Sequence, residues 1–67
     1  MQISARNQLK GRIKDIKSDG ISSEVTLDIG GQEVCSTITA SSVNRLGLKV
    51  GDEAYALVKA SSVMIMK

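Results

Sequence analysis

The chain has 67 residues, nine basic against seven acidic side chains and a net charge of +2, with one Cys, one Tyr and no His, Phe, Trp or Pro. This composition excludes an intramolecular disulfide, leaves no ordinary zinc site to assemble, and is too weakly basic to announce a polyanion partner. The hydrophobic share of 42% suits one globular domain over residues 1–67, whose core must come from Ile, Leu, Val, Met and Ala. A core that small, without disulfide, metal or large aromatics, calls for oligomerisation as its missing stabiliser.

In chain order, Leu9 to Lys17 reads as a strand whose apolar rhythm slips between Ile13 and Ile16, the signature of a bulge near Asp15. Ser18-Asp19-Gly20 turns the chain. Residues 24–29 alternate, with Val25, Leu27 and Ile29 on one face and Glu24, Thr26 and Asp28 on the other, which is the pattern of a half-buried strand. Gly30-Gly31 makes a hairpin turn, since both residues tolerate positive φ. The return strand runs from Gln32 to about Thr39, with Val34, Ser36 and Ile38 on one face. A short helix follows, capped by Ser41 or Ser42, with Val43 and Leu46 on one side and Gly47 at its end. Gly51-Asp52 leads into a strand over 53–59, and Val63-Met64-Ile65-Met66 forms a last one.

Five short strands and one brief helix predict an all-β chain, a small OB-like five-stranded barrel. Two of those strands are apolar on both faces: Ala54, Ala56 and Val58 interleave with Tyr55 and Leu57, and Val63 and Ile65 with Met64 and Met66. A barrel of this size has one interior, so another subunit is the natural cover for the second face.

No apolar run approaches the roughly 20 residues of a membrane-spanning helix, and Met1 to Arg6 lacks the apolar stretch of a signal peptide. With a lone cysteine suited to a reducing compartment, a cytoplasmic protein without a membrane partner is expected. Catalysis finds little to work with. There is no His, Cys35 sits mid-strand without a base, and the carboxylates are scattered rather than paired. The glycines fit turns and not a phosphate-binding loop. An OB-like barrel that binds nucleic acid stacks bases on aromatic rings; this one offers only Tyr55. Its local basic cluster, Lys10, Arg12, Lys14 and Lys17, reads as a solvated edge, so neither an enzyme nor a nucleic-acid partner is expected.

The two ends of the chain hold the strongest signal. Ser4-Ala5-Arg6-Asn7 and Lys59-Ala60-Ser61-Ser62-Val63-Met64-Ile65 each set a cation beside hydroxyls and small residues. That composition wraps a small anion, because Arg offers a planar fork of donors, Lys a point charge, and small side chains let backbone N–H groups approach.

The first stretch with its continuation Gln8-Leu9-Lys10-Gly11-Arg12-Ile13, the central Ile38-Thr39-Ala40-Ser41-Ser42-Val43 and Arg45-Leu46-Gly47-Leu48-Lys49-Val50-Gly51, and the last stretch together resemble the molbindin (Mop) family, small bacterial proteins that bind molybdate or tungstate. The resemblance covers essentially the whole chain. It implies an OB-like fold, a molybdate or tungstate ligand with no organic cofactor, and a hexamer built as a trimer of dimers with ligand at subunit interfaces. It implies oxyanion contacts from the side chains of Ser4, Arg6 and Lys59, backbone N–H groups at Ala5 and Ala60, and a hydroxyl at Thr39. Asn7 completes the motif and fixes the turn, and Ser61 is a neighbouring contact. Cys35 and Thr37 depart from the more aliphatic family strand. The expected role is storage and homeostasis of the oxyanion by a free-standing protein; the alternatives are a regulatory or accessory molybdate-sensing module and, more remotely, an OB-like nucleic-acid binder.

Overall fold

Strand β1 (Asn7–Ser18) is too long to belong to one hairpin, and it serves two. In the computed structural model, which describes residues 6–67, positions 7–12 pair antiparallel with β4 (Glu53–Val58). Positions 12–18 pair antiparallel with β2 (Ser22–Asp28) on the opposite edge. The hand-over happens at a bulge. Ile13 faces Leu27 and Asp15 faces Thr26, so Lys14 is the extra residue, next to the predicted position. Gly11 lies just before it, where an added Cβ would stand 2.7 Å from the Asp28 carbonyl oxygen and 2.9 Å from Ile29 Cγ2. Only a glycine lets the strand curl that close to its neighbour.

β3 (Glu33–Thr39) returns along β2 after the Gly30-Gly31 turn, both glycines having φ above 90°. The sheet order is β3-β2-β1-β4, a curled half-barrel whose two edges stay unpaired. Inside it Ile13, Val25 and Leu27 are fully buried, with Ile16, Ile29, Ile38, Val43, Leu48, Ala54 and Ala56 packed around them. Thr26, expected on the polar face, is also buried, because β2 is flanked by strands on both sides and the Thr26 hydroxyl lies 3.6 Å from Cys35 Sγ.

Helix α1 (Ala40–Leu46) closes one end. Its cap is Thr39 rather than Ser41 or Ser42. Thr39 still has the extended backbone of β3 (φ −72°, ψ 150°), whereas the two serines are already helical, and its Oγ1 accepts from the Ser42 N–H. Gly47 ends the helix as expected, left-handed at φ 65°. Its N–H donates to Asn44 and that of Leu48 to Val43, the two bonds of a Schellman stop.

Four strands form where five were expected. The ladder ends at Val58, a 3-10 turn spans Ala60–Ser62, and Val63–Met66 pairs with neither free edge. A strand exists only through a ladder partner, and the chain supplies none to this segment. Met64, Ile65 and Met66 are at least 90% exposed. The alternation in β4 is confirmed: Ala54, Ala56 and Val58 face inward, while Tyr55 and Leu57 stand on the outer face, each more than half exposed. Between the edges, a cleft of about 330 Å³ is lined by Val34, Ile38, Leu48, Ala54, Ala56 and Val58 among others.

Two carboxylates pin the turns. Asp19 Oδ1 accepts from the N–H groups of Ile21 and Ser22, and Asp28 Oδ1 from those of Gly30 and Gly31. These backbone donors hold both carboxyls below the ordinary carboxylate range. A carboxyl depressed in the folded state contributes stability above its unfolded pKa of about 3.9 and loses it as pH falls through the folded value. Thermal melts across an acid series should therefore be flat near neutrality and decline below about pH 4, with Asp28→Ala less stable at neutrality and showing a shallower acid limb. Gly11→Ala should destabilise by about 1–3 kcal/mol through overpacking; a urea midpoint unchanged from the parent would contradict the close approach.

Candidate functional site

The β1–β4 ladder brings the two ends of the chain together. Asn7 opposes Val58 in register and its Nδ2 donates to the Val58 carbonyl oxygen at 3.2 Å. Asn7 thus fastens β1 to β4 at their last pair. Arg6 and Lys59, 53 positions apart in sequence, are the residues that adjoin this last pair. Opposed residues of an antiparallel pair project to the same face, so the outer face of the ladder carries Gln8, Lys10, Tyr55 and Leu57.

Lys59 also precedes the 3-10 turn. Within it the Ser62 N–H donates to the Lys59 carbonyl and that of Val63 to Ala60. The first N–H groups of any helical turn have no partner inside it. Here they belong to Ala60 and Ser61. Arg6, Lys59, Ala60 and Ser61 are all exposed, and together they form a corner of donors.

Charge separates this corner from the rest of β1. Lys10 pairs with Glu53 at 3.5 Å, Lys14 with Glu33, and the Arg12 guanidinium donates to the Gly51 carbonyl at 3.2 Å. The hydrogen bond and charge of Glu33 raise the Lys14 pKa. Among the described residues no ion pair involves Arg6 or Lys59. Two of the four cations of the basic edge, Lys10 and Lys14, thus have carboxylate partners.

Ser4 and Ala5 lie outside the described residues. Thr39 stands elsewhere in the sheet. It pairs with Ser22 at the far end of β2, beside the Ser18 end of β1, whereas Arg6 and Lys59 extend the Asn7 end. The β1–β4 ladder brings Asn7 to Val58, next to Arg6 and to Lys59, Ala60 and Ser61 in the chain, and no strand pairing brings Thr39 to that end.

Thr39 has hydroxyl neighbours of its own. Its Oγ1 donates to Ser42 Oγ at 2.7 Å, accepts from the Ser42 N–H at 3.1 Å and lies 3.2 Å from Ser41 Oγ. A hydroxyl has one proton and two lone pairs. With its proton given to Ser42, Thr39 meets Ser41 as an acceptor, and its capacity is full. Ser42 Oγ accepts from Thr39 and, at 3.3 Å, from the Arg45 guanidinium, so its own proton is free. Sequence reasoning weighed Ser42 only as a cap and gave Arg45 no role. Their spacing of three on a helix face was the available signal.

A half-barrel with its short helix at one end and an uncompensated donor corner at the other defines a small OB-like binding domain. The chain belongs to the TOBE-domain family, whose pattern matches residues 3–65, and its resemblance to the molbindins stands. It is 48% identical over 67 residues to molybdenum-pterin-binding protein 1 of Clostridium pasteurianum, covering 98% of each chain. Its structure is similar to that of MopII from Clostridium pasteurianum in the form called apo2 (TM-score 0.89, 46% identity, 98% of this chain and 100% of that one). It is also similar to a molybdate-binding protein of Sporomusa ovata (TM-score 0.94, 37% identity, all of both chains).

Proposed function

We propose that residues 1–67 form one domain that binds molybdate or tungstate for intracellular storage, at a site completed between copies of the chain. The observation that supports this is the β1–β4 register, which ends with Asn7 opposite Val58 and so leaves Arg6 and Lys59 as the next residues on either side, with the amides of Ala60 and Ser61 following. Molybdate is a tetrahedral dianion presenting only acceptor oxygens, and donors alone suit it; a facing carboxylate would repel it and stay unpaired. Arg6 and Lys59 balance the two charges. Ser4 and the Ala5 amide adjoin Arg6 in sequence and join the same set.

A hydroxyl from the Thr39 corner has to come from a second copy, because the sheet holds that corner at the other end of β1. Since the Thr39 hydroxyl is saturated, Ser42 delivers the proton there. The assembly follows from the apolar surface. Tyr55 and Leu57 on the outer face, the Val63–Met66 tail and the open cleft between the sheet edges all need cover, and a hexamer arranged as a trimer of dimers supplies it. Selectivity comes from two sources. The spacing of donors favours the larger oxyanions over sulfate, and a protonated phosphate oxygen meets donors with nothing to receive its proton. The lone thiol at Cys35 suits a cytoplasmic setting, and the role is binding rather than catalysis.

Calorimetric titration with molybdate, tungstate, sulfate and phosphate at fixed salt should show tight binding of the first two alone; equal affinity for sulfate would overturn the size argument. A charge-assisted hydrogen bond contributes about 1.5–3 kcal/mol, so Arg6→Ala and Lys59→Ala should each weaken molybdate binding roughly ten- to a hundredfold. Lys14→Ala, on the compensated edge, should bind as the parent does. The melting midpoint should rise with protein concentration, and a stable folded monomer at micromolar concentration in sedimentation equilibrium would contradict the assembly.

A further inference from the structure

We propose that Arg45 is a positioning residue for the oxyanion site, acting through Ser42 to make that hydroxyl a donor only. The assignment rests on the molybdate-binding function above and adds to it a residue that governs which anions are refused. At the start of helix α1 the Ala40 N–H donates to the Ile21 carbonyl and the Ser42 N–H to Thr39 Oγ1, so the donors this corner offers are side chains.

Ser42 Oγ has two lone pairs and one proton. Thr39 Oγ1 donates to it at 2.7 Å and Arg45 Nη2 at 3.3 Å, which fills both lone pairs. What remains is the proton. An unengaged serine hydroxyl rotates and serves either role, donating to a bare oxyanion oxygen or accepting from a protonated one. With Arg45 in place only the first is open. Molybdate, carrying no proton at neutral pH, is served by a donor, whereas hydrogen phosphate has to place its hydroxyl against one. Arg45 thereby acts against the wrong ligand as much as for the right one.

Arg45 suits this task chemically. Its guanidinium is always charged and cannot accept a hydrogen bond, so the contact to Ser42 has one polarity at every pH the protein meets. Its place in the last turn of α1, three residues after Ser42, keeps the two side chains on one face. Among the described residues no ion pair involves Arg45, which leaves the guanidinium available to the hydroxyl.

The test is calorimetric titration of the full chain with molybdate and with phosphate, in weakly acidic and weakly alkaline buffer, for the parent, Arg45→Met, Arg45→Lys, Ser42→Ala and the double variant Arg45→Met/Ser42→Ala. Arg45→Met should weaken molybdate binding by roughly three- to tenfold, the effect of one lost hydrogen bond. Its phosphate binding should hold or improve, most clearly in acidic buffer, so that the molybdate-to-phosphate ratio falls by more than molybdate affinity does. Arg45→Lys should restore part of the ratio. In the Ser42→Ala background, Arg45→Met should leave the ratio unchanged, as a double-mutant cycle requires if the arginine acts through the hydroxyl. Equal weakening of both anions by Arg45→Met, or an effect that persists without Ser42, would show diffuse positive charge instead and overturn the assignment alone. A parent chain that fails to bind molybdate would overturn the function beneath it. Ligand-free melts of Arg45→Met that match the parent would confirm that folding is not the cause.

Discussion

β1 bends because Gly11 lets its backbone approach Asp28 and Lys14 adds one residue that no partner residue matches. That bend permits one strand to spend its first half on β4 and its second on β2. Every later feature depends on this division. The first half holds Asn7 against Val58, and the second half carries β2, β3 and the helix to the other end.

The two ends differ in kind. At the β4 end, cations and backbone amides offer charge and fixed direction. At the helix end, three hydroxyls and a guanidinium offer an ordered chain of donations that finishes in one free proton. The first corner holds two cations, the second a single one beside a denser set of hydroxyls, and the proposed site draws on both. They lie at opposite ends of β1, and the proposed site joins them between copies of the chain. The fold supplies the same requirement independently: three fully buried apolar residues are a small core, while its greasiest segment, Val63–Met66, faces solvent.

Much of this was readable from residue types. The alternation of Val25, Leu27 and Ile29, the glycine pair after them and Gly47 at the helix end each reflect a local rule that tertiary packing did not override. The slip between Ile13 and Ile16 disclosed the bulge. The resemblance to the molbindins pointed to Arg6 and Lys59, the two residues that adjoin the last pair of the β1–β4 ladder, Asn7 with Val58. Two errors share a cause. Val63–Met66 has the composition of a strand, but composition cannot supply a partner edge. Ser41 and Ser42 have the composition of caps, but the cap belongs to whichever residue still has extended backbone, and that is Thr39. The polarity of the Thr39–Ser42–Arg45 chain was not legible at all, because it depends on side-chain distances that spacing only permits.

The solitary aromatic ring has a practical meaning. Tyr55 stands on the outer face of β4, opposite Lys10 and one residue along the same face from Leu57, and no other residue absorbs or emits in the near ultraviolet as a ring does. The near-ultraviolet ring signal of this protein therefore originates at one spot, on the outer face of the β1–β4 ladder. Its emission, quenching and near-ultraviolet dichroism read the environment of that face without contribution from the interior, so the molecule carries a built-in, single-site reporter that needs no label.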